Sequence, residues 1–141
     1  MSIDEVPSRR DGPNAHPCTP TSRALHPSYE QASLYYFIRR FVSPMGPDGF
    51  PGHLTFLSDL YNHHEQGLLE MATLSVASMA AFNQFGGEKF RLQSYKAYGH
   101  AIRMVHDTIQ CEGRATDDKV ITAVLLLCTL KVCVSFQVHV N

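Results

Sequence analysis

This sequence of 141 residues has little of what marks several common classes of protein. It has no tryptophan, and its 12 basic residues are balanced by 13 acidic ones, which gives a formal net charge of −1. Binding to nucleic acid requires clustered lysine and arginine that displace counterions from the phosphates. The only basic pairs are Arg9-Arg10 and Arg39-Arg40. We therefore expect no direct DNA binding by this chain.

Cysteine motifs and a secretory leader are also missing. The four cysteines are too unevenly spaced for a C-x-x-C pair or a small disulfide framework. Residues 1–28 contain no apolar run of the kind that a signal peptide needs. We expect reduced thiols and an intracellular protein. The cysteines are Cys18, Cys111, Cys128 and Cys133.

Proline is absent from residues 52–141, whereas all eight prolines lie at or before Pro51. Because a proline inside a helix costs about 3 kcal/mol, its absence favours a succession of helices in the second part of the chain. Residues 1–28 are polar and rich in proline, which predicts a disordered segment ahead of the folded domain. The predicted fold class is all-α, with about four helices.

The apolar spacing predicts where the first helices lie. A first helix is expected over Tyr29–Val42, with Ser28 as its N-cap, and a short helical turn over His53–Tyr61. A second long helix, Gln66–Phe82, is apolar on nearly all sides and should form the buried centre of the domain.

Two further helices complete the predicted domain. The helix over Glu88–Cys111 is amphipathic, and its large apolar residues should face the core. Thr116 is the predicted N-cap of the last helix, whose apolar run ends near Leu130 and is too short to span a membrane. The apolar row of the amphipathic helix is Tyr95, Tyr98, Ile102, Val105 and Ile109.

Residues 132–141 differ from what precedes them. From Val132 to Val140, apolar and polar residues alternate, and this period of two is typical of a strand. A lone strand has nothing to pair with in an all-α domain. We therefore hypothesise that this tail comes from an unspliced intron that begins near Val132-Cys133. A native transcript that runs through this point and has no spliced form would contradict the hypothesis.

Five strings in this order resemble the opening helices of the fungal-specific transcription factor domain. That domain is the regulatory region that follows the zinc cluster in six-cysteine fungal regulators. The resemblance covers residues 33–131 within a domain predicted at 29–131, and the strings are moderately specific only as an ordered set. They are Tyr35-Tyr36-Phe37 with Phe41-Val42, Pro51 to Tyr61, Ala72 to Ala81, Tyr95-x-x-Tyr98-Gly99-x-Ala101-Ile102, and Thr116 to Leu127.

The resemblance implies a helix-stacked regulatory domain that works in the nucleus, or in the cytoplasm for a fragment, through protein partners or effectors. The zinc cluster needs six thiolates, and only Cys18 precedes the helices, so no metal or DNA contact is carried over. Since the helices of the family continue further, the last helix here should leave an apolar face uncovered and promote self-association. The alternative is a free-standing helical scaffold or adaptor unrelated to transcription.

No residues form a recognisable catalytic or metal-binding pattern, so we predict no enzyme, no catalytic, cofactor-binding or metal site, and no cofactor. His63-His64-Glu65 lacks the second histidine of a zinc motif and indicates a solvated loop. His100, His106 and Asp107 indicate an exposed face, and Cys128 a place in the core. A small-molecule cavity is the alternative to core packing for four residues: Met71, Met79, Tyr95 and Tyr98.

Overall fold

The computed structural model describes residues 28–45, 48–49, 52–62, 64–111 and 116–138. The described part is mostly helical and contains no strand, so the predicted all-α class is confirmed, with five α-helices instead of about four. The segment predicted to be disordered lies outside the described residues, apart from Ser28. The helices are α1 (Tyr29–Phe37), α2 (Leu57–Leu60), α3 (Leu68–Phe85), α4 (Glu88–Gln110) and α5 (Asp118–Val138).

The start of α1 is fixed by the predicted cap. The Ser28 hydroxyl accepts a hydrogen bond from the backbone N–H of Gln31, and the Gln31 side chain accepts one from the N–H of Ser28, both at 3.2 Å. This reciprocal pair is a capping box, which satisfies two amide groups that a helix start leaves without partners. The predicted first helix is thus confirmed at its N-terminus.

One turn of π-helix, Ile38–Val42, follows α1 and ends the first helical segment. The backbone then returns against itself, since the Leu54 N–H donates to the carbonyl oxygen of Phe41 at 2.8 Å. Gly52 lies at this return, where a Cβ atom would collide with the Phe41 carbonyl, so the close approach requires glycine. The return leads into α2, which confirms the predicted helical turn and buries Leu57.

Helix α3 lies at the centre of the molecule and packs against α1, α4 and α5. The sequence predicted this role, and the structure confirms it. Small side chains on several sides of the helix let its neighbours approach closely, while larger apolar residues fill the spaces between them. The buried residues include Leu69, Ala72, Thr73, Ser75, Ala77, Ser78, Met79 and Ala81. Gly86 and Gly87, both with positive φ, follow the helix, which ends at Phe85, three residues beyond its predicted end at Phe82.

Helices α3 and α4 are joined by a reciprocal pair of buried hydrogen bonds. The Ser75 hydroxyl donates to the backbone carbonyl of Ser94 at 3.0 Å, and the Ser94 hydroxyl donates to that of Ser75 at 2.7 Å. Such bonds require the two backbones to lie close together, which only small residues at the contact allow. Ala97 and Ala101 lie three and seven residues after Ser94, on the same face of α4, and all three residues are buried.

The large apolar residues of α4 do not face the core as predicted. Tyr95 is 46% exposed, Ile102 42% and Ile109 56%. The physical reason is the close contact with α3. Because small side chains of α4 make this contact, the row of large apolar residues lies beside it and not within it. Tyr98 and Val105 of that row are partly buried against the core. The polar residues Lys89, Lys96 and Arg103 are exposed, so the amphipathic character itself is confirmed.

Helix α5 differs from its prediction at both ends. The N-cap is Asp117, whose carboxylate accepts a hydrogen bond from the Lys119 N–H at 2.9 Å, and the prediction of Thr116 was wrong. The helix continues to Val138, so the prediction of a strand-like tail is also wrong over residues 132–138. Without a neighbouring strand, backbone hydrogen bonds within the helix satisfy this segment, because β propensity depends on context. Residues 139–141 lie outside the described residues.

Candidate functional site

An apolar groove lies between α4 and α5 at the surface of the molecule. It has a volume of about 370 Å³. A smaller pocket of about 200 Å³ borders it and is lined by Tyr95, Tyr98, Leu130, Lys131 and Val134. We call the larger one the α4–α5 groove; its lining residues are Tyr98, Ile102, Val105, Val124, Leu127, Cys128, Lys131 and Val132.

The groove is open because only one side of helix α5 is buried. Val120, Ala123, Leu126, Leu127 and Leu130 are buried, and α5 packs mainly against α3. On the opposite side of the helix, large apolar residues meet solvent, as expected for a helix whose apolar face is left partly uncovered. This outward row of α5 consists of Ile121, Leu125, Cys128 and Val132. The prediction that Cys128 lies in the core is therefore wrong.

An ion pair between distant parts of the chain holds the start of α5. Lys119 Nζ lies 3.1 Å from Glu65 Oε2, and Glu65 Oε1 accepts a second bond from the Asn62 side chain at 3.0 Å. These hydrogen bonds and the lysine charge lower the pKa of Glu65, and the bond to Glu65 raises the pKa of Lys119. Both side chains are about half exposed, so the pair orients α5 and contributes little to stability.

The histidines considered from the sequence are not brought together. His64 is exposed, and its backbone N–H donates to the Asn62 side chain at 3.1 Å, while His63 lies outside the described residues. His100, His106 and Asp107 are exposed on α4, as the sequence predicted. Among the described residues, no group of three or more histidine, cysteine or acidic side chains is placed to hold a metal ion.

The four residues considered for a small-molecule cavity occupy different places. Tyr95 and Tyr98 lie beside the α4–α5 groove. Met79 lines a separate cavity of about 300 Å³ between α1, α3 and α5, and Met71 packs against the core. The four residues therefore do not share one cavity, because the close α3–α4 contact separates the tyrosines of α4 from Met79 on α3.

A second apolar surface lies at the other side of the molecule, where α1 meets the end of α3. The pocket at this surface has a volume of about 780 Å³ and is open to solvent. The Tyr36 and Phe85 rings meet edge to face there, with centroids 5.0 Å apart. This surface is not predicted from the sequence, because the predicted second long helix ends at Phe82, before Phe85. A helix carried through to the glycine pair at 86–87 would have revealed it.

Comparisons with models of protein families, with curated proteins and with solved structures found no match. Within the described residues, no helix has the length and the apolar character needed to cross a membrane. The arrangement therefore has to be interpreted from its own chemistry. An apolar groove between two helices, bordered by aromatic and aliphatic side chains, has the form of a surface on which an apolar helix can pack.

Proposed function

We propose that this chain is part of the regulatory region of a fungal transcription regulator of the zinc-cluster type. It acts in the nucleus by binding protein partners, without enzymatic activity and without a DNA-binding module of its own. The observation that carries the proposal is the α4–α5 groove, an open apolar surface on an all-α scaffold. Open apolar surfaces of this kind mark sites of protein interaction.

The family-like strings support the proposal by their placement. Within the described residues, each of the five overlaps a different helical segment, from α1 with its π-helical turn to α5. The last two strings contribute Tyr98, Ile102, Val124 and Leu127 to the groove. The resemblance and the candidate interaction surface therefore involve the same residues.

A reporter assay in a fungal cell tests this function. The full chain would be fused to a heterologous DNA-binding domain directed to a reporter gene, and we expect expression to differ from that given by the DNA-binding domain alone. Ile102→Glu places a charge in the groove and should abolish the difference. Leu92→Glu is the control, since Leu92 lies on the same helix, is exposed and does not line the groove. Unchanged expression from the unaltered fusion would contradict the proposal.

The alternative is a helical adaptor unrelated to transcription, and the groove favours it equally as a docking surface. Sequencing of the native transcript separates the two functions. An upstream segment that codes for six clustered cysteines, or splicing near Val132, would support the regulator. A transcript that encodes this chain alone, combined with an inactive reporter fusion, would support the adaptor.

A further inference from the structure

The outward row of α5 has the spacing of a coiled-coil seam. Ile121, Leu125, Cys128 and Val132 follow one another at steps of four, three and four residues. Every second member of the row lies seven residues further on, which is the heptad repeat that keeps an apolar row in contact with a neighbouring helix along its length. The row lies opposite the buried residues Ala123 and Leu130, so it faces away from α3.

The neighbouring helix carries a matching row. Tyr95, Tyr98, Ile102, Val105 and Ile109 of α4 follow at steps of three and four. Tyr98, Ile102 and Val105 line the groove, and Tyr95 lines the smaller pocket that borders it. A helix laid along the outward row of α5 would therefore also meet the apolar side of α4. The surface thus has the form of half a helical bundle, which an identical half would complete.

Charge placement selects the orientation of the second half. Asp117 and Asp118 lie at the N-terminal end of α5, and Lys131 lies near the other end of the seam. Parallel packing of two α5 helices would place acidic ends side by side, which costs free energy. Antiparallel packing pairs Ile121 with Val132 and Leu125 with Cys128 of the other copy. It also places the acidic ends of the two copies at opposite ends of the seam.

The exposed apolar surface is close to what a stable dimer requires. Six large side chains of the two rows are 42–60% exposed. At roughly 100 Å² each they offer on the order of 600 Å², and a standard interface buries about 800 Å² per partner with its polar rim included. They are Tyr95, Ile102, Ile109, Ile121, Leu125 and Val132.

We infer that the chain forms a two-fold symmetric dimer in which the outward row of α5 packs antiparallel against the same row of a second copy. The α5 helix of each copy then covers the α4–α5 groove of the other. This inference deepens the proposed function, because it names the protein that the groove binds. A failed reporter assay would contradict the proposed function but not the dimer. A monomeric chain would contradict the dimer but not the proposed function.

Sedimentation equilibrium of the full chain tests the dimer under reducing conditions. We expect a species of twice the chain mass, and Leu125→Glu should raise the dimer dissociation constant by more than about tenfold. Leu92→Glu is the matched control, because Leu92 is 58% exposed and Leu125 60%. The control should remain dimeric, and helical circular dichroism should show that both variants are folded. A monomeric wild type, a dimer that Leu125→Glu does not weaken, or equal weakening by both variants would overturn the inference.

Disulfide crosslinking tests the orientation. The native cysteines would be replaced by serine, and one cysteine would be introduced as Ile121→Cys in one variant and Val132→Cys in another. Because a disulfide requires Cα atoms within about 7 Å, only residues that face each other will crosslink. We expect a disulfide between the two variants when they are mixed, and none within either variant alone. Efficient crosslinking of each variant with itself would show parallel packing and overturn the antiparallel arrangement.

Discussion

The contact of α4 with α3 and its contact with α5 are built in opposite ways. Against α3, the helix presents Ser94, Ala97 and Ala101, all of which are buried. Against α5, it presents large apolar residues such as Ile102, and a groove of about 370 Å³ stays open. The first contact is closed although its side chains are small, and the second is open although its side chains are large.

This difference shows that burial in a helical stack follows the distance between backbones more than the hydrophobicity of the residues. Small residues allow two helices to approach until hydroxyls reach the carbonyls of the neighbouring chain, as Ser75 and Ser94 do. Large residues hold helices apart and need a further element to cover them. The closed contact therefore supports the fold, while the open one is available for binding.

The largest expected effect comes from the buried side of α5. Leu126→Ala removes a side chain that is 4% exposed and leaves a cavity, so we expect a loss of about 2–5 kcal/mol in the free energy of unfolding. Leu92→Ala makes the same change at an exposed leucine away from the groove and should cost less than about 0.5 kcal/mol. Urea denaturation of both variants measures the difference. Equal losses of stability in the two variants would show that the site of Leu126 is packed no more tightly than the exposed site of Leu92.

Overfilling the closed contact should produce the next largest effect. Ala101 is fully buried where α4 meets α3, so Ala101→Leu would force the two helices apart and cost about 1–3 kcal/mol. Gly99→Ala is the control on the same helix. Gly99 is exposed, and a Cβ atom there meets nothing within 4 Å, so this change should stabilise α4 by up to about 1 kcal/mol. A neutral Ala101→Leu would mean that the contact is not tightly packed.

The sequence predicted the helices well but not the faces that they bury. The cap at Ser28, the central position of α3 and the glycine break at 86–87 depend on local chemistry, and they were predictable for that reason. The burial of Ala97 in place of Tyr95 was not predictable, because hydrophobicity alone favours burial of the larger side chain. The spacing of serine and alanine on α3 and α4 was the available signal for a close contact.

The candidate site was predictable only in its general form. The sequence predicts an uncovered apolar face on the last helix but not the extent of that face, because the alternation after Val132 indicates a strand. Period two and period 3.6 give similar patterns over a short β-branched run, and tertiary context decides between them. Continuing the helix past Val132 would have placed Ile121, Leu125, Cys128 and Val132 in one row.

Breaking the reciprocal serine pair tests the closed contact more gently. Ser94→Ala removes the buried hydroxyl that donates to the Ser75 carbonyl, and we expect a loss of about 1 kcal/mol. Ser75→Ala should cost a similar amount. Because the two bonds share one contact, the double variant should lose less than the sum of the single losses. A double-mutant cycle from thermal or urea unfolding measures this coupling. Strict additivity would show that the two hydrogen bonds act independently.

The smallest expected effect concerns the ion pair that orients α5 beside the open groove. The pKa of Glu65 is lowered in the folded protein by its bonds to Lys119 and Asn62, so its contribution is present above the pKa of an unfolded glutamate and is lost as pH falls through the folded value. The pKa of Lys119 is raised, so its contribution is present below the unfolded lysine pKa and is lost as pH rises through the folded value. Between these limits the pair should add a small stabilisation that salt weakens. Unfolding of the wild type and of Lys119→Met, followed from neutral to acidic pH, should show the two curves converging as Glu65 becomes protonated. Curves that stay parallel over this range would mean that α5 is held by its apolar contact with α3 alone.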